Sequence, residues 1–317
     1  MAKVAFITGV SGQDGSYLAE LLIKKKYKVF GICNPNKKIN LKNLLNVKNK
    51  ITLKKIDINN YKSIKSLIKK YKPNEFYHLA AQSFINYKFE DEFFKLNPNI
   101  NGTHYILSAI KEYSKKTKFY FAASSELFGN AISSPQNENS KFNPRSAYGV
   151  SKIAGYYLTK NYREAYNLYA CSGILFNHES VRRNTNFVSR KITKNLSLIL
   201  KGKIKNIKLG NINSKRDWGH ARDYVLAMWK MLQLNKPTDF VIGSGKTHSV
   251  KQFIKVAFDK VNLDYRKYIK IDKKLFRPDD KVLLKANPIK AQKILKWKPK
   301  ISFMELVHEM VDHDLKD

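Results

Sequence analysis

The amino-acid sequence predicts an α/β fold in which a doubly wound parallel sheet is joined to a smaller C-terminal region. The first half of the 317 residues alternates short apolar runs with helical stretches, which is the pattern of parallel βαβ units. A glycine-rich turn stands between the first apolar run and the first helix, and the regular alternation ends near residue 177. We therefore expect residues 1–176 to form the sheet domain. Residues 177–317 should form the smaller region, with part of the chain returning to that domain.

Six short apolar runs are the predicted strands. They are Val4–Thr8, Lys28–Ile32, Ile51–Ile56, Glu75–Leu79, Lys118–Ala122 and Tyr169–Phe176. The helix after the first strand has Leu18, Leu21 and Leu22 on one face, as expected for a helix packed against a sheet. Because no repeat or low-complexity linker interrupts the chain, its parts should pack as one unit.

The composition indicates a globular protein of the reduced cytoplasm. Hydrophobic residues make up 43% and aromatic residues 12% of the chain, which excludes a disordered chain. No apolar stretch reaches about 18 residues, so no membrane-spanning helix is expected. The strand pattern begins at Val4 and leaves no room for a signal peptide. Cys33 and Cys171 are far apart and suit neither a disulfide framework nor a metal cluster.

The formal net charge is +35, which raises the question of a nucleic-acid or acidic-lipid partner. The lysines are spread evenly along the chain, and this favours a compositional bias over a binding surface. Arginine behaves differently, because none occurs before Arg145 and most fall between Arg145 and Arg222. In a chain rich in lysine, such clustering suggests a need for forked donors, and we look for a diphosphate ligand there.

The turn after the first strand has the pattern of a dinucleotide site. Gly9, Gly12 and Gly15 stand at spacing G-x-x-G-x-x-G, with Gln13 and Asp14 between the last two. Glycines at this place permit a tight turn and a close approach of backbone N–H groups to a pyrophosphate. The sequence therefore predicts a Rossmann-type fold with a bound dinucleotide.

The end of the second predicted strand favours NADP over NAD. An NAD enzyme usually has a carboxylate here that binds the ribose 2′-hydroxyl. This chain instead reads Cys-Asn-Pro-Asn-Lys-Lys over residues 33–38 and has no acid. Lys37, with Lys38 beside it, is the candidate for binding a 2′-phosphate.

A tyrosine and a lysine four residues apart predict the catalytic pair. Tyr148 and Lys152 share one helical face, and a nearby ammonium is expected to lower the pKa of the phenol towards working pH. The same spacing recurs at Tyr61/Lys65 and Tyr156/Lys160. Only Tyr148 follows a buried strand that ends in small hydroxyl residues and Glu126, at residues 123–126. That order favours Tyr148.

Glu126 adds a second kind of chemistry. Oxidation of a secondary alcohol needs only a tyrosine, a lysine, a hydroxyl donor and nicotinamide. Elimination of water also needs a base for the carbon-bound proton and an acid for the departing hydroxyl, and one carboxyl group can serve as both in turn. The alternative is that Glu126 caps a turn or pairs with a lysine.

Several segments resemble the GDP-mannose 4,6-dehydratase family of the extended short-chain dehydrogenase/reductase superfamily. They are Phe119–Gly129, Asn143–Gly149, Asn161–Leu168, Gly173–Ser180 with Arg182 and Arg183, and Lys215–Ala221. The resemblance runs from residue 1 to about 260 and returns at Leu295–Pro299. It implies a lyase that converts GDP-mannose to GDP-4-keto-6-deoxymannose by internal redox through bound NADP.

The resemblance also implies roles for individual residues. The catalytic group would be Ser124, Glu126, Tyr148 and Lys152. The cofactor contacts would be Gly9, Gly12, Gln13, Asp14, Gly15, Lys37, Asp57, Ile58, Leu79, Ala80, Ala81, Gln82, Ser83, Phe94, Lys152, His178 and Arg183. The substrate contacts would be Ser83, Ser124, Glu126, Tyr148, Asn177, Lys191, Arg216 and Arg277. A GDP-sugar is the expected partner, with neither nucleic acid nor membrane. The segment from residue 177 to 186 would reach a neighbouring subunit in a homo-oligomer, a dimer or tetramer.

Three departures from the family pattern accompany the match. Ser124 stands where the family usually has threonine, Phe94 where a cofactor-contacting tyrosine is expected, and the segment at residues 276–279 is shortened. The alternatives are a nucleotide-sugar 4-epimerase or 4-keto reductase, a 4,6-dehydratase for another GDP-sugar, and a basic nucleic-acid-binding protein on the same scaffold. No zinc site is implied, because Arg182 stands where an H-E-x-x-H motif beginning at His178 would need its second histidine.

Overall fold

The structure is a computed structural model that describes residues 2–36, 39, 41–81, 89–276 and 283–316, with the backbone alone for residues 89–95. Its centre is a seven-stranded sheet in the order β11-β6-β5-β4-β1-β2-β3, in which all neighbours are parallel. The predicted doubly wound α/β fold is confirmed. The strands are β1 Val4–Thr8, β2 Lys28–Cys33, β3 Ile51–Lys55, β4 Glu75–His78, β5 Lys118–Ser124, β6 Ala170–Leu175, β7 His178–Glu179, β8 Ile207–Leu209, β9 Lys215–Asp217, β10 Gly219–His220, β11 Phe240–Ile242, β12 Thr247–Ser249 and β13 Ile269–Ile271.

Helices cover both faces of this sheet and build the C-terminal region. They are α1 Gln13–Lys24, α2 Tyr61–Tyr71, α3 Phe89–Tyr113, α4 Ala147–Tyr166, α5 Val188–Leu200, α6 Ala221–Leu232, α7 Val250–Asp259, α8 Ile289–Ile294 and α9 Phe303–Lys316. Short 3₁₀ turns lie at Lys42–Leu44, Ser125–Leu127, Tyr265–Lys267 and Lys273–Leu275. Within the described ranges, no helix is both long enough and apolar enough to cross a bilayer.

All six strands predicted from the sequence are present, with ends that differ by one or two residues. β11 was not predicted, and it pairs with β6 at one edge of the sheet. A strand of three residues is too short to show alternation of apolar and polar side chains, so the sequence pattern does not reveal it. Its position in the sheet depends on how the surrounding chain packs. β11 lies beyond residue 177 in sequence but belongs to the central sheet.

Alternation along the strands divides the apolar side chains between two cores. Ala5 and Ile7 of β1 point to the face covered by α1 and α6, and Phe6 points to the face covered by α2, α3 and α4. This follows from the period of two in a strand. A third apolar core joins α5, α7 and α9 with β8 in the C-terminal region.

The strand order reverses between β1 and β4, because β2 follows β1 on one side while β4 lies on the other. At such a point, the loops after the two strands separate and leave a crevice outside their carboxyl ends. The fold therefore provides a ligand-binding crevice next to the glycine-rich turn.

Tyr120 and Gly173 provide a test of packing in the sheet. A Cβ added at Gly173 would lie 2.3 Å from the Tyr120 hydroxyl oxygen, and that buried hydroxyl has no hydrogen-bond partner among the described residues. We expect Gly173→Ala to lower the melting temperature, because overpacking typically costs about 1–3 kcal/mol. Tyr120→Phe alone should change it little, and the double variant should regain part of the loss in thermal denaturation. Equal losses in the single and double variants would contradict this packing.

Candidate active site

A cavity of about 610 Å³ opens at the carboxyl edge of the central sheet. Its walls come from the loops after β1, β4, β5 and β6, from α4, and from the C-terminal region. Twelve of the predicted site residues line it: Asp14, Leu79, Ala81, Ser124, Glu126, Tyr148, Lys152, Asn177, His178, Arg183, Lys191 and Arg216. The fold thus brings into one space side chains from both halves of the sequence.

The glycine-rich turn leaves the first turn of α1 open to a ligand. Gly9 has a φ of +69°, and a Cβ at Gly15 would lie only 2.3 Å from the Gly9 carbonyl oxygen. The helix begins after Gly12, which has no side chain to cap it. Because the first backbone N–H groups of a helix have no partner within the helix, this turn fits a pyrophosphate.

The loop after β4 is held beside the glycine-rich turn. The Thr8 hydroxyl oxygen accepts hydrogen bonds from the backbone N–H groups of Leu79 and Ala80, both at 3.0 Å. A Cβ at Gly9 would lie 3.0 Å from the Ala80 Cα atom. The two predicted cofactor loops therefore contact each other directly.

Gln13 and Asp14 join the turn to the segment after β6. The Gln13 amide donates to the His178 carbonyl oxygen at 3.0 Å and accepts from the Ser180 hydroxyl at 2.8 Å. The Asp14 carboxylate lies 2.8 Å from His178 Nε2, and His178 Nδ1 lies 2.7 Å from the carbonyl oxygen of Phe176. Since both ring nitrogens face acceptors, both must carry hydrogen, so His178 is an imidazolium.

The pKa values of this pair shift as expected for an ion pair. Burial alone would raise the pKa of Asp14, but the charge and hydrogen bond of His178 hold it below the usual value. Burial alone would likewise lower the pKa of His178, and the Asp14 carboxylate outweighs it and raises that pKa. The ring of His178 also stacks on Tyr224 with centroids 4.6 Å apart.

Ser124, Glu126 and Tyr148 meet where β5 ends and α4 begins. Ser124 is the last residue of β5, and its hydroxyl oxygen accepts the backbone N–H of Glu126 at 3.3 Å. Ser146 caps α4 through the Gly149 backbone N–H at 3.1 Å, which places Tyr148 in the first turn of the helix. A hydrogen bond to Ser124 acts on the Tyr148 phenol. These contacts assemble a hydroxyl, a carboxyl and a phenol.

The expected effect of Lys152 on Tyr148 was wrong for this state of the site. Burial raises the pKa of Tyr148 to about 12, and the hydrogen bond from Ser124 offsets only part of that rise. The Lys152 ammonium donates instead to the Ala122 carbonyl oxygen at 2.8 Å and lies 5.7 Å from the centre of the Tyr148 ring. Burial lowers the pKa of Lys152 to about 7, so the charged ammonium form of Lys152 is itself disfavoured.

Only one of the three Y-x-x-x-K tyrosines, all of which the structure describes, lines the cavity. Tyr156 packs edge-on against Phe142, with centroids 5.0 Å apart, and Tyr61 donates to Glu112 at 3.1 Å. Neither lies near Glu126 in the cavity wall. Tyr148 is therefore placed where the sequence predicted it.

The predicted arginine cluster is mainly a set of ion pairs. Arg163 forms a bidentate pair with Asp239 at 2.7 and 2.9 Å. Arg182 pairs with Glu20, Arg190 with Asp314 and Arg222 with Glu309. Arg183 and Arg216 line the cavity, and Arg183 lies 3.2 Å from the Glu179 carboxylate. Most of these arginines therefore bind carboxylates of the same chain. Of the arginines predicted to bind a diphosphate, Arg183 and Arg216 are the ones that line the cavity.

The remaining predicted residues fall into two groups. The first group does not line the cavity: Gly9, Gly12, Asp57, Ile58 and Ala80 lie in the loops after β1, β3 and β4, and Gln13 and Gly15 lie in the first turn of α1. Lys37, Gln82, Ser83, Arg277 and the side chain of Phe94 lie outside the described residues.

The structure also shows cavity residues that the sequence analysis missed. They are Glu179, Asn186, Phe187, Val188, Leu209, Gly210, Asn211, Ser214, Trp218, Val250, Lys274, Leu275 and Phe276, among others. Trp218 and Glu179 stand inside motifs already quoted, so their neighbours could have indicated them. Leu209 and Gly210 are in no motif and are brought to the cavity by the pairing of β8 with β13. Among the described residues, no group of three His, Cys, Asp or Glu side chains could hold a metal ion.

Comparison with known proteins gives a consistent result. A family model described as GDP-mannose 4,6 dehydratase matches residues 6–310. The chain is 44% identical over 342 aligned residues to GDP-mannose 4,6 dehydratase of Dictyostelium discoideum, covering 99% of this chain and 96% of that protein. It is 39% identical over 341 residues to the Homo sapiens protein of the same name, covering 99% and 92%.

Solved structures agree on the fold. The dTDP-glucose 4,6-dehydratase of Bacillus anthracis, solved with NAD, superposes with a TM-score of 0.88 at 19% identity, covering all of this chain and 97% of that one. UDP-glucose 4-epimerase of Thermotoga maritima, solved with UDP-glucose, superposes with a TM-score of 0.87 at 22% identity, covering 99% of each chain. Both likenesses concern the fold alone.

The Asp14–His178 pair predicts a particular dependence of stability on pH. Because the folded pKa of His178 is raised, its stabilisation is fully present below about pH 6.5, the ordinary imidazole value. That stabilisation is lost as pH rises through the folded pKa. We expect the melting temperature of the cofactor-free protein to exceed that of Asp14→Asn most near pH 6 and by less as pH rises to 9. Asp57→Asn, which removes a carboxylate outside the cavity, is the control. A gap that stays constant across this range would contradict the ion pair.

Proposed function

The chain belongs to the GDP-mannose 4,6-dehydratase family, and from that membership we propose that it converts GDP-mannose to GDP-4-keto-6-deoxymannose. The observation that carries the proposal is the presence of Glu126 in one cavity with Tyr148 and Ser124. A phenol and a hydroxyl suffice for redox at a sugar carbon, and the carboxyl group supplies what elimination of water requires.

We propose NADP as the cofactor. The open first turn of α1 and the cavity cations Lys152 and Arg183 support a dinucleotide phosphate. The absence of an acid over residues 33–38 supports the 2′-phosphate form, with Lys37 as its proposed partner. When bound, the nicotinamide would take a hydride from the sugar and return it, so that the cofactor ends as it began.

Tyr148 and Ser124 would act at the C4 hydroxyl. Tyr148 as phenolate takes the hydroxyl proton, and Ser124 donates a hydrogen bond to the same oxygen as it becomes a carbonyl. Burial raises the pKa of Tyr148 to about 12, which disfavours the phenolate. A positive charge that a bound cofactor brought close to the phenol would lower this pKa, because an opposite charge favours the ionised form of an acid.

Glu126 would act at C5 and C6. The C4 ketone acidifies the C5–H bond, and the Glu126 carboxylate removes that proton. The resulting acid then donates that proton to the departing C6 hydroxyl, which leaves as water. When the hydride returns to C6, a proton equivalent to the one that Tyr148 took from the C4 hydroxyl is delivered to C5. Glu126 is only partly buried in the cavity wall, so its carboxyl group can reach a substrate that is bound there.

Several basic and polar side chains would hold the GDP-sugar. Asn177, Lys191 and Arg216 line the part of the cavity formed by the C-terminal region, and two cations suit a diphosphate. We propose Ser83 and Arg277 as further contacts. This assignment agrees with a division into a cofactor-binding part, residues 1–176, and a substrate-binding part, residues 177–317, with β11 lying in the central sheet.

We also propose a homo-oligomer, a dimer or tetramer, in the cytoplasm. Arg182 and Arg183 lie on the segment from residue 177 to 186, which we expect to reach a neighbouring subunit. Most soluble homo-oligomers have closed symmetry. Both cysteines are free and buried, which is consistent with a reducing compartment.

The reaction itself is tested with an isotopic label. GDP-mannose deuterated at C4 should give a product lighter by one water that carries the deuterium at C6, without added oxidant. Mass spectrometry with fragmentation measures both changes. Product of unchanged mass would indicate an epimerase, and loss of the label to free cofactor would indicate a simple dehydrogenase. Either result would overturn the proposal.

Substitutions separate the catalytic roles. Glu126→Gln should lower turnover by at least about 100-fold, the usual scale of general acid–base catalysis, while GDP and NADP still bind in calorimetry. Tyr148→Phe should lose turnover to a similar degree. Tyr156→Phe is the matched control, because its ring packs outside the cavity, and it should keep normal turnover. Comparable losses at Tyr156 would refute the choice of Tyr148.

A further inference from the structure

Asp217 is a buried carboxylate that the proposed chemistry does not use. It is fully buried at the end of β9 and stands between Arg216 and Trp218, both of which line the cavity. Its oxygens accept four hydrogen bonds. The donors are Ser244 N at 2.8 Å and Ser244 Oγ at 2.6 Å on one oxygen, and Gly245 N at 2.9 Å and Ala286 N at 3.0 Å on the other.

The four hydrogen bonds join β9, which carries Asp217, to two other parts of the chain. These are the loop after β11 and residues 283–287, which we call the anchor segment. A Cβ at Gly243 would lie 2.3 Å from the Ala286 side chain, so the two segments are closely packed. All four donors are uncharged, and they only partly offset the burial that raises the pKa of Asp217. Each of the four hydrogen bonds therefore helps to stabilise the buried Asp217 carboxylate.

The anchor segment is also held from the catalytic side of the cavity. Gln136 is fully buried in the loop that follows the Ser125–Leu127 turn. Its backbone forms a bridge with Ala286, and its side-chain oxygen accepts the backbone N–H of Lys285 at 2.9 Å. The anchor segment thus lies between the loop that follows Glu126 and the strand that carries Arg216.

Residues 272–276, which also belong to the C-terminal region, contribute to another part of the cavity wall. Lys274, Leu275 and Phe276 line it, and they are fixed at their beginning by a 2.8 Å hydrogen bond from Asp272 N to the Leu209 carbonyl oxygen. A Cβ at Gly210 would lie 2.5 Å from the Leu275 carbonyl oxygen. Residues 272–276 are therefore fixed at β8, and the anchor segment at residues 283–287 is fixed at Asp217.

We propose that Asp217 is a positioning residue for the substrate: its carboxylate holds the anchor segment against β9 and so fixes Arg216 and Trp218 in the cavity wall. This inference rests on the proposed function, because it takes the nucleotide of a GDP-sugar as the ligand of that wall. Asp217 itself would touch neither substrate nor cofactor.

Asp223 offers a matched control. It is also a buried aspartate that accepts backbone N–H groups from a distant segment, Lys300 N at 2.8 Å and Ile301 N at 3.0 Å. It does not line the cavity. At Asp217 both oxygens accept hydrogen bonds, so an asparagine must place its NH₂ group against two of the four donors and leave them unpaired. At Asp223 one oxygen accepts both N–H groups, and the amide oxygen of an asparagine can replace it.

The experiment compares Asp217→Asn with Asp223→Asn in the full-length protein with NADP present. GDP binding is measured by calorimetry, the KM and kcat for GDP-mannose by product mass, and melting temperature by calorimetric scanning. Asp217→Asn should raise the Kd for GDP and the KM by about tenfold, a typical consequence of unpaired buried donors, with kcat within about twofold of wild type. Asp223→Asn, which removes the charge of a buried aspartate outside the cavity, should leave GDP binding unchanged.

A milder pair of variants covers the case in which Asp217→Asn does not fold. Ser244→Ala removes one of the four donors and should weaken GDP binding about threefold, as expected for one lost hydrogen bond. Ser244→Thr keeps the hydroxyl and should bind GDP as the wild type does. Normal GDP binding by Asp217→Asn or Ser244→Ala would overturn the positioning role, as would equal weakening by Asp223→Asn. Failure of the wild type to bind GDP would instead overturn the proposed function.

Discussion

The contact between Asp14 and His178 is the interaction on which the geometry of the site depends. Asp14 follows β1 and His178 follows β6, with β4 and β5 between these two strands in the sheet. Strands about 4.8 Å apart would separate the two loops by about 14 Å, yet the two side chains are 2.8 Å apart. The loops therefore cross the carboxyl edge of the sheet and meet, and Gln13 strengthens this contact with two further hydrogen bonds. The cofactor turn and the start of the C-terminal region are joined in this way.

The parts of the site that could be predicted from the sequence are those determined by residues close together along the chain. The G-x-x-G-x-x-G turn follows from the close approach of Gly15 to Gly9, and Tyr148 was distinguished from Tyr61 and Tyr156 by the strand that precedes it. The Asp14–His178 pair had no such signal, since 164 residues separate its members. The same holds for β11 and for the cavity wall at Leu209, which depend on pairing between distant segments.

The effect of Lys152 on Tyr148 could not be predicted from spacing for a different reason. A separation of four residues places two side chains on one helical face, but it does not say which acceptor the ammonium chooses. In the folded chain, burial disfavours both the phenolate and the ammonium, and the Ala122 carbonyl oxygen takes the hydrogen bond. A positive charge on a bound ligand would favour the phenolate and disfavour the ammonium, because opposite charges stabilise and like charges destabilise an ionised group.

The two sides of the cavity are stabilised by different physical means. On the cofactor side, Asp14 faces an imidazolium, so its pKa is lowered and the carboxylate is a stable charge. On the substrate side, burial raises the pKa of Asp217, and its uncharged donors offset only part of that rise. Salt weakens charge pairing that solvent can reach, whereas hydrogen bonds from buried backbone N–H groups depend on the position of the backbone. The cofactor side should therefore respond to solution conditions, and the substrate side to the packing of residues 283–287.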